Sequence, residues 1–450
     1  MQRQVRRLRS DPSSRHDLSR RRLLGNIAVF ALAASTGGSE SAPILALARS
    51  AVPTADPKDF GAKGDGRADD AAALQAALNS GKRVWLEPGA DYAFGRVLRV
   101  PDGGGFAGGG LLTMLTGPGK FDKADYSGPP EVGLFVDSVS NVSIEARVRM
   151  QPSDGIRTCS AIWVRGCSNV ELDVEAWGFK ETRFGVIEWN SNRGGTVKAN
   201  VHDCFVDSTR LPTMQVTALS VDSNRLGVFP HGVNSTGLRF DVTAKDIHFG
   251  PAAIAKYGYQ TDAVNLQGSG YAGHSGEVVA ENVHEPLDCW SDQNTVKVTA
   301  RDCLFGVKLI YGASRNLIHA TVERFMKDAL LLGGSNTKPV AYNRCYISAA
   351  DGGEIGKFGD VAAVAAEGGG GRFAPDHNTV EVSIKGNGVD LDYGILVSNG
   401  ASNNSFRISG SGYAVSQGRI ARTAGRGNSI VQSTVEREPR RKPEQALLKS

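Results

Sequence analysis

Ser168-Asn169-Val170-Glu171-Leu172 and Asn294-Thr295-Val296-Lys297-Val298 carry one phrase: Asn at the mouth of a strand, then alternating apolar residues. The phrase returns at Ser140-Asn141-Val142-Ser143-Ile144, at Ser191-Asn192 leading into Val197, and at Arg315-Asn316-Leu317-Ile318. It returns again at Asn378-Thr379-Val380-Glu381-Val382, Asn404-Ser405-Phe406 and Asn428-Ser429-Ile430. The clean intervals run from about 22 to 28 residues, a period that means stacked coils around one continuous core. Short β-rich runs precede the phrase: Ser160–Val164, Phe184–Glu188, Val216–Val221, Asp262–Leu266, Leu287–Trp290, Val307–Tyr311, Ala329–Leu332 and Gly394–Val397. Parallel strands in register predict a ladder of Asn amides that satisfies the polar groups of a sharp turn. Anchoring the coils on the Ser-Asn phrase rather than on the strand starts shifts the register by one residue, and one residue turns a side chain to the other face.

Charge and composition narrow the partners. The formal charge of +4 comes from the head of the chain, where residues 1–48 hold eight Arg and three acidic residues. The remainder has 43 basic against 44 acidic residues, so nothing points to nucleic acid or to an anionic membrane. The 55 glycines suit many tight turns.

Ser19-Arg20-Arg21-Arg22-Leu23-Leu24 resembles a twin-arginine export signal, with Gly25–Ala34 as its apolar core and Ala46-Leu47-Ala48 as the cleavage site. That core is shorter than the roughly 20 residues a bilayer span needs, so no stable membrane anchor is expected. The expected organisation is a signal peptide at 1–48, one solenoid domain at 49–435, and a polar, disordered tail at 436–450. The expected location is the periplasm or outside the cell. Six cysteines (159, 167, 204, 289, 303 and 345) show no Cys-x-x-Cys pair, so no zinc is expected. Cys159 with Cys167, or Cys289 with Cys303, are candidate disulfides; buried free thiols are the alternative.

The block from Asp59-Phe60-Gly61-Ala62-Lys63-Gly64-Asp65-Gly66 through Asp69-Asp70, the helix-forming run to Leu78, Arg83-Val84-Trp85-Leu86 and Glu87-Pro88-Gly89 closely resembles the N-terminal cap of the pectate-lyase superfamily. That group includes rhamnogalacturonases, polygalacturonases and epimerase-like proteins. The resemblance covers about residues 56–115. It implies an all-β, right-handed parallel β-helix whose open end is plugged by a short helix. A solenoid needs such a cover over its exposed core and strand edges.

Two stretches interrupt the rhythm. Between Asn224 and Asp262 lie Phe229-Pro230-His231-Gly232, Tyr257 and Tyr259, read as a cleft wall. Between Ala349 and Pro375 lies a Gly/Ala-rich excursion read as a flexible loop.

Three consecutive coils carry the best candidates for chemistry: Asp262, Asp288 and Lys308, spaced by about one coil each. Carboxylates one coil apart, at about 4.8 Å per strand, fall in the range that glycosidase acid pairs use. Proximity raises one carboxyl into general-acid range, and Lys308 holds a uronate or a developing charge. Burying Asp288 would be expensive, so it is expected to face outward. Against the polygalacturonase pattern, Gln260-Thr261-Asp262 is similar to the Asn-Thr-Asp element, Asp288 to half of the Asp pair and Lys308 to the terminal Lys. Gly273-His274-Ser275-Gly276 looks like the His element but precedes Asp288. For substrate contacts we expect Asp292 (or a turn role), His284 with Glu285 on the rim, His231 in its loop, and Glu188 with Trp189 as a sugar platform.

The leading expectation is therefore an exported glycoside hydrolase acting on a polysaccharide, with no cofactor. The lyase and epimerase branches of the same superfamily imply Ca²⁺ or basic residues beside a uronate, with Asp262, Asp288 and Asp292 as ligands and Lys308 as base. A non-catalytic glycan-binding or assembly protein is the third reading. The sugar, and whether the protein is a monomer or a trimer, are not legible.

Overall fold

In a computed structural model of the chain, the described residues are 53–121, 131–152, 159–179, 185–206, 216–222, 234–249, 261–268, 270–353, 360–368, 371–385, 391–398, 400–411 and 425–436. The expected leader at 1–48, the tail beyond 436, His231 with its loop, and Tyr257 and Tyr259 lie outside them. No helix among the described residues is long and apolar enough to cross a membrane.

The cap forms where its residues require it. The turn Pro57–Phe60 closes on Gly61, whose φ of 96° favours glycine. Helix Ala71–Leu78 follows, and Leu74 and Leu78 are fully withdrawn into the core. The two aspartates that precede it divide the work. Asp69 accepts the Ala71 N–H (3.1 Å) and the Gly95 N–H, whereas Asp70 accepts the Lys63 and Gly64 N–H groups and ties down the glycine turn.

Beyond the cap each coil feeds two long parallel ladders. The first runs Glu131–Asp137, Cys159–Arg165, Ile187–Asn190, Val216–Val221, Thr261–Leu266 and Glu285–Cys289. It continues through the ends of Thr295–Leu309 and Leu317–Gly333 into Ala362–Glu367 and Tyr393–Ser398. The second runs from Ser140–Met150 through Ser168–Trp177, Thr196–Val206, Arg239–Phe249 and Ser275–Val283 to Ser429–Glu436. Isolated bridges such as Ser314 to Ala341 and Asp376 to Ser402 form a narrow third side. Every ladder pair is parallel, and one apolar core fills the coil from Leu74 to Ile408. A parallel sheet needs this cover on its inner face, and each buried Val, Leu or Ile contributes about 1.5–3 kcal/mol toward it.

The predicted Asn ladder is present. The backbone N–H groups of Asn294, Asn316, Asn343, Asn378 and Asn404 each donate to the Oδ1 of the next coil's Asn, ending at Asn428, over 2.8–3.1 Å. Their Nδ2 groups donate along the same row. The recurring phrase, however, occupies more than one position. Asn141 and Asn169 sit one residue earlier, in the left-handed region (φ 58° and 52°), exposed and bonded to each other. Gln293, Arg315, Tyr342, His377 and Asn403 hold that left-handed position in the later coils. Asn suits both places, because it tolerates positive φ and also satisfies buried turn groups.

His274 takes the rung before Asn294. Its N–H donates to Asn294 Oδ1, and its Nδ1 accepts from the Leu238 N–H at 3.2 Å. The expected His element of an active site is thus a rung of the turn ladder. One further expectation is corrected. The Gly/Ala-rich excursion contains the buried strand Ala362–Glu367, whose lack of alternation reflects cover on both faces. Of the two expectations for the cysteines, buried thiols without a disulfide hold for all six, and burial pushes the thiols of Cys204 and Cys289 up to about 12.

A carboxylate and lysine cluster on the first sheet

Two rows of side chains, three residues apart along each strand, share the outer side of the first sheet. One row passes Trp163, Glu188, Ser220, Asn265, Asp288, Lys308, Leu331, Ala365 and Leu396. The other includes Thr217, Asp262 and Glu285, then Phe305, Asp328, Ala362 and Tyr393. At the late coils the two rows meet as a small apolar cluster of Leu331, Ala362, Ala365, Tyr393 and Leu396. At the middle coils they meet as charges.

Asp262, Glu285 and Asp288 each bring a carboxylate oxygen within 4.8 Å of the others'. Lys308 Nζ donates to Glu285 Oε2 at 2.8 Å. Thr217 Oγ1 donates to Asp262 Oδ2, and the Asn265 amide spans Asp262 Oδ2 (3.0 Å) and Asp288 Oδ2 (3.5 Å). Trp290 Nε1 donates to Asp288 Oδ1 at 2.9 Å, and its ring leans on Tyr311, which is 49% exposed. A chain of contacts therefore runs from the exposed Tyr311 through the half-buried Trp290 to the buried acids.

The sequence correctly brings Asp262, Asp288 and Lys308 together, but through a different register. Asp262 stands beside Glu285 and Asp288 beside Asn265; the two aspartates meet because their rows share a face. The expected solvent exposure is absent, since Asp262 and Asp288 are 0% and Lys308 5% exposed. Burial, only partly opposed by Lys308 and reinforced by Asp262 and Asp288, holds the Glu285 carboxyl well above the usual range. Burial alone would lower the Lys308 ammonium, but Glu285 and Asp288 outweigh it and hold it above its ordinary value. Three carboxyls facing one ammonium thus favour the neutral form of Glu285 and the charged form of Lys308.

The remaining candidates fall elsewhere. Asp292 is committed to a turn: Oδ1 accepts the Ser314 N–H and Oδ2 pairs with Lys338 at 2.6 Å. His284 adjoins Glu285, and its backbone N–H donates to Thr261 Oγ1. Glu188 lies on the same row as Asp288, three coils earlier, and burial raises its carboxyl well above the ordinary value. Among the described residues its Oε1 meets no hydrogen-bond partner. Trp189 cannot form a platform with it. Successive residues of a strand face opposite ways, and Trp189 is fully buried in the core. The outward ring beside Glu188 is Trp163. Sequence reasoning placed Glu285 only on the rim, just before the Leu287–Trp290 run, whereas the strand starts at Glu285 itself. It missed Asp328, a buried acid accepting the Ala362 N–H, and the Trp290–Tyr311 pair.

A divalent cation fits this cluster poorly. Of the three carboxylates that could contribute ligands, Glu285 already lies against the Lys308 ammonium at 2.8 Å, a cation in the place a metal would take.

No family model matches the chain. A segment of 103 residues is 35% identical to a depolymerase of Klebsiella phage K5-2 specific for capsule K30/K69; the match covers 21% of this chain and 12% of that protein. Among solved structures, the tailspike protein of Escherichia coli bacteriophage HK620, in complex with a pentasaccharide, is 12% identical over 84% of this chain and 65% of its own, with a TM-score of 0.48. The A-module of the Azotobacter vinelandii mannuronan C-5 epimerase AlgE4 is 15% identical, covering 86% of this chain and all of that one, with a TM-score of 0.41. An exopolygalacturonase from Thermotoga maritima is 10% identical over 85% and 91%, with a TM-score of 0.38. The strand registers establish what this chain is: from its cap to its last described coil, a right-handed parallel β-helix.

Proposed function

We propose that the protein cleaves a polysaccharide by carboxylate acid–base catalysis, as an exported glycoside hydrolase. The observation that carries this reading is the cluster of Asp262, Glu285, Asp288 and Lys308 on adjacent coils. Four ionisable groups withdrawn from water cost several kcal/mol each unless something offsets it, so a purely structural sheet face is better served by the apolar residues of the late coils. The oxygen separations suit the closer spacing of acid pairs that work through a glycosyl intermediate, where the carboxyls lie about 5–5.5 Å apart. Glu285, whose carboxyl burial and the two aspartates raise, is the general acid; Asp262 and Asp288 supply the nucleophile and its electrostatic support; Lys308 balances their charge. The half-buried Trp290 and exposed Tyr311 give a sugar ring an apolar face to stack on, at the edge of the cluster. The phage depolymerase segment supports a polysaccharide as substrate.

The test is product analysis on capsular and pectic polysaccharides. Hydrolysis releases reducing ends without the ultraviolet absorbance of an unsaturated sugar, whereas a lyase produces both. Glu285→Gln should lower turnover by about 10²–10⁴-fold with the fold intact. Full activity in Glu285→Gln and Asp288→Asn together would move the site elsewhere.

A further inference from the structure

The second sheet has its own outer face, and its character changes along the axis. In the early coils the outward row carries opposite charges in pairs, Asp173 beside Lys198 and Glu277 beside Lys297, each pair bonded across one coil at 3.0 and 3.3 Å. From the next coil on, the same row becomes His319, Tyr346, Glu381 and Arg407. The His319 and Tyr346 rings stack with centroids 4.8 Å apart and planes within 15°, and Tyr346 is 39% exposed. Beside them runs a row of hydroxyls, one per coil: Thr299, Thr321, Ser348, Ser383 and Ser409. From Thr321 to Ser409, and from His319 to Arg407, these rows line an open groove of ≈ 520 Å³, with Thr299 just beyond its end.

We infer that this groove is a second binding site, for a chain of uncharged sugars running along the solenoid axis. A pyranose offers an apolar C–H face and a rim of hydroxyls. The first matches the exposed ring stack, and the second matches donors and acceptors repeating at the coil spacing of about 4.8 Å. Among the described residues none of the hydroxyls of Thr299, Thr321, Ser348 and Ser383 is hydrogen-bonded to the protein, so all remain available to a ligand. Charge argues against a polyanion. Glu381 and Arg407 lie 3.9 Å apart and balance one another, and Lys297 is matched by Glu277. The groove belongs to the second sheet and contains none of the buried acids of the first, so it holds substrate rather than reacting with it.

This inference rests on the reading that the protein acts on polysaccharide, and the test separates the two. The full chain is run through native gels containing dextran, hydroxyethyl cellulose or polygalacturonate. Retardation is expected in at least one of the two neutral glucans. Tyr346→Ala should weaken it about tenfold, Tyr346→Phe should preserve it, and Glu285→Gln should leave it unchanged. Retardation by neither neutral glucan, equal retardation of Tyr346→Ala, or retention by polygalacturonate alone overturns the inference. So does concentration-dependent self-association that Tyr346→Ala abolishes, since the face would then seat a second copy. Retention by a neutral glucan with undiminished cleavage by Glu285→Gln leaves the groove standing and removes the proposed catalytic site.

Discussion

On the second sheet Asp173, Lys198, Asp241, Glu277 and Lys297 follow one another coil by coil; on the first, Asp288 is followed by Lys308, and Asp262 by Glu285. The residue types and the strand spacing are the same, and so is the outward direction. What differs is water. Lys297 and Glu277 are 61% and 58% exposed at their side chains, whereas Lys308 and Glu285 are 6% and 2% exposed. In water such a pair is screened and contributes little. Out of water the ammonium is needed to hold three carboxyls together, and burial raises the Glu285 carboxyl well above its usual range. Charge pattern along a solenoid therefore says little about chemistry until the cover over each face is known.

Breaking the buried pair should have the largest effect on stability. Lys308→Met leaves Asp262, Glu285 and Asp288 without their cation and should cost about 3–5 kcal/mol in urea unfolding. The same change at the exposed Lys297 should stay within about 0.5 kcal/mol of wild type. Equal effects at both positions would erase the distinction between the faces.

The turn ladder offers the same contrast among amides. Asn316→Ala removes the acceptor for the Asn294 N–H and the donor to Ser291 O, and should cost about 2–3 kcal/mol. Asn169→Ala, exposed and bonded only to Asn141 among the described residues, should cost about 1 kcal/mol, mainly through its left-handed backbone. Denaturant midpoints of the two variants decide the matter.

A smaller effect is tied to pH. Burial lowers His274 to about 4 from an ordinary 6.5, so the folded protein binds fewer protons than the unfolded chain between those values. Its contribution is complete above about 6.5 and is lost as pH falls toward about 4. His274→Asn, which extends the Asn ladder by one rung, should flatten the stability profile over that window. An unchanged slope would mean that His274 is not its source. The smallest expected change concerns salt: raising it should weaken the coupling of Lys297 with Glu277 in a double-mutant cycle and leave that of Lys308 with Glu285 unaltered.

The period of the Asn phrase and the cap motif were enough to identify the β-helix, because a solenoid writes its pitch into every coil. Asp262, Asp288 and Lys308 were found for the same reason. The misses have local causes. The phrase merged a left-handed position (Asn141, Asn169) with a buried rung (Asn294, Asn316), since Asn satisfies both. Trp189 was placed on the wrong face by the single residue that separates it from Glu188. Glu285 was placed on the rim because it lies just before the Leu287–Trp290 run, yet the strand begins at Glu285, which aligns with Asp262. The strand Ala362–Glu367 was read as a loop because alternation disappears when both faces are buried. Cover over the outer face was invisible in the strand patterns, and it is what turns a charged row into a candidate site.

The most direct test of the central claim compares wild type and Glu285→Gln on the same capsular polysaccharide, following release of reducing ends with pH. The account predicts hydrolysis by wild type, falling on the alkaline side as Glu285 loses its proton, and a drop of about 10²–10⁴-fold in the variant at an unchanged unfolding midpoint. Wild-type rates in a folded Glu285→Gln protein would contradict it, and the buried cluster would then be structural.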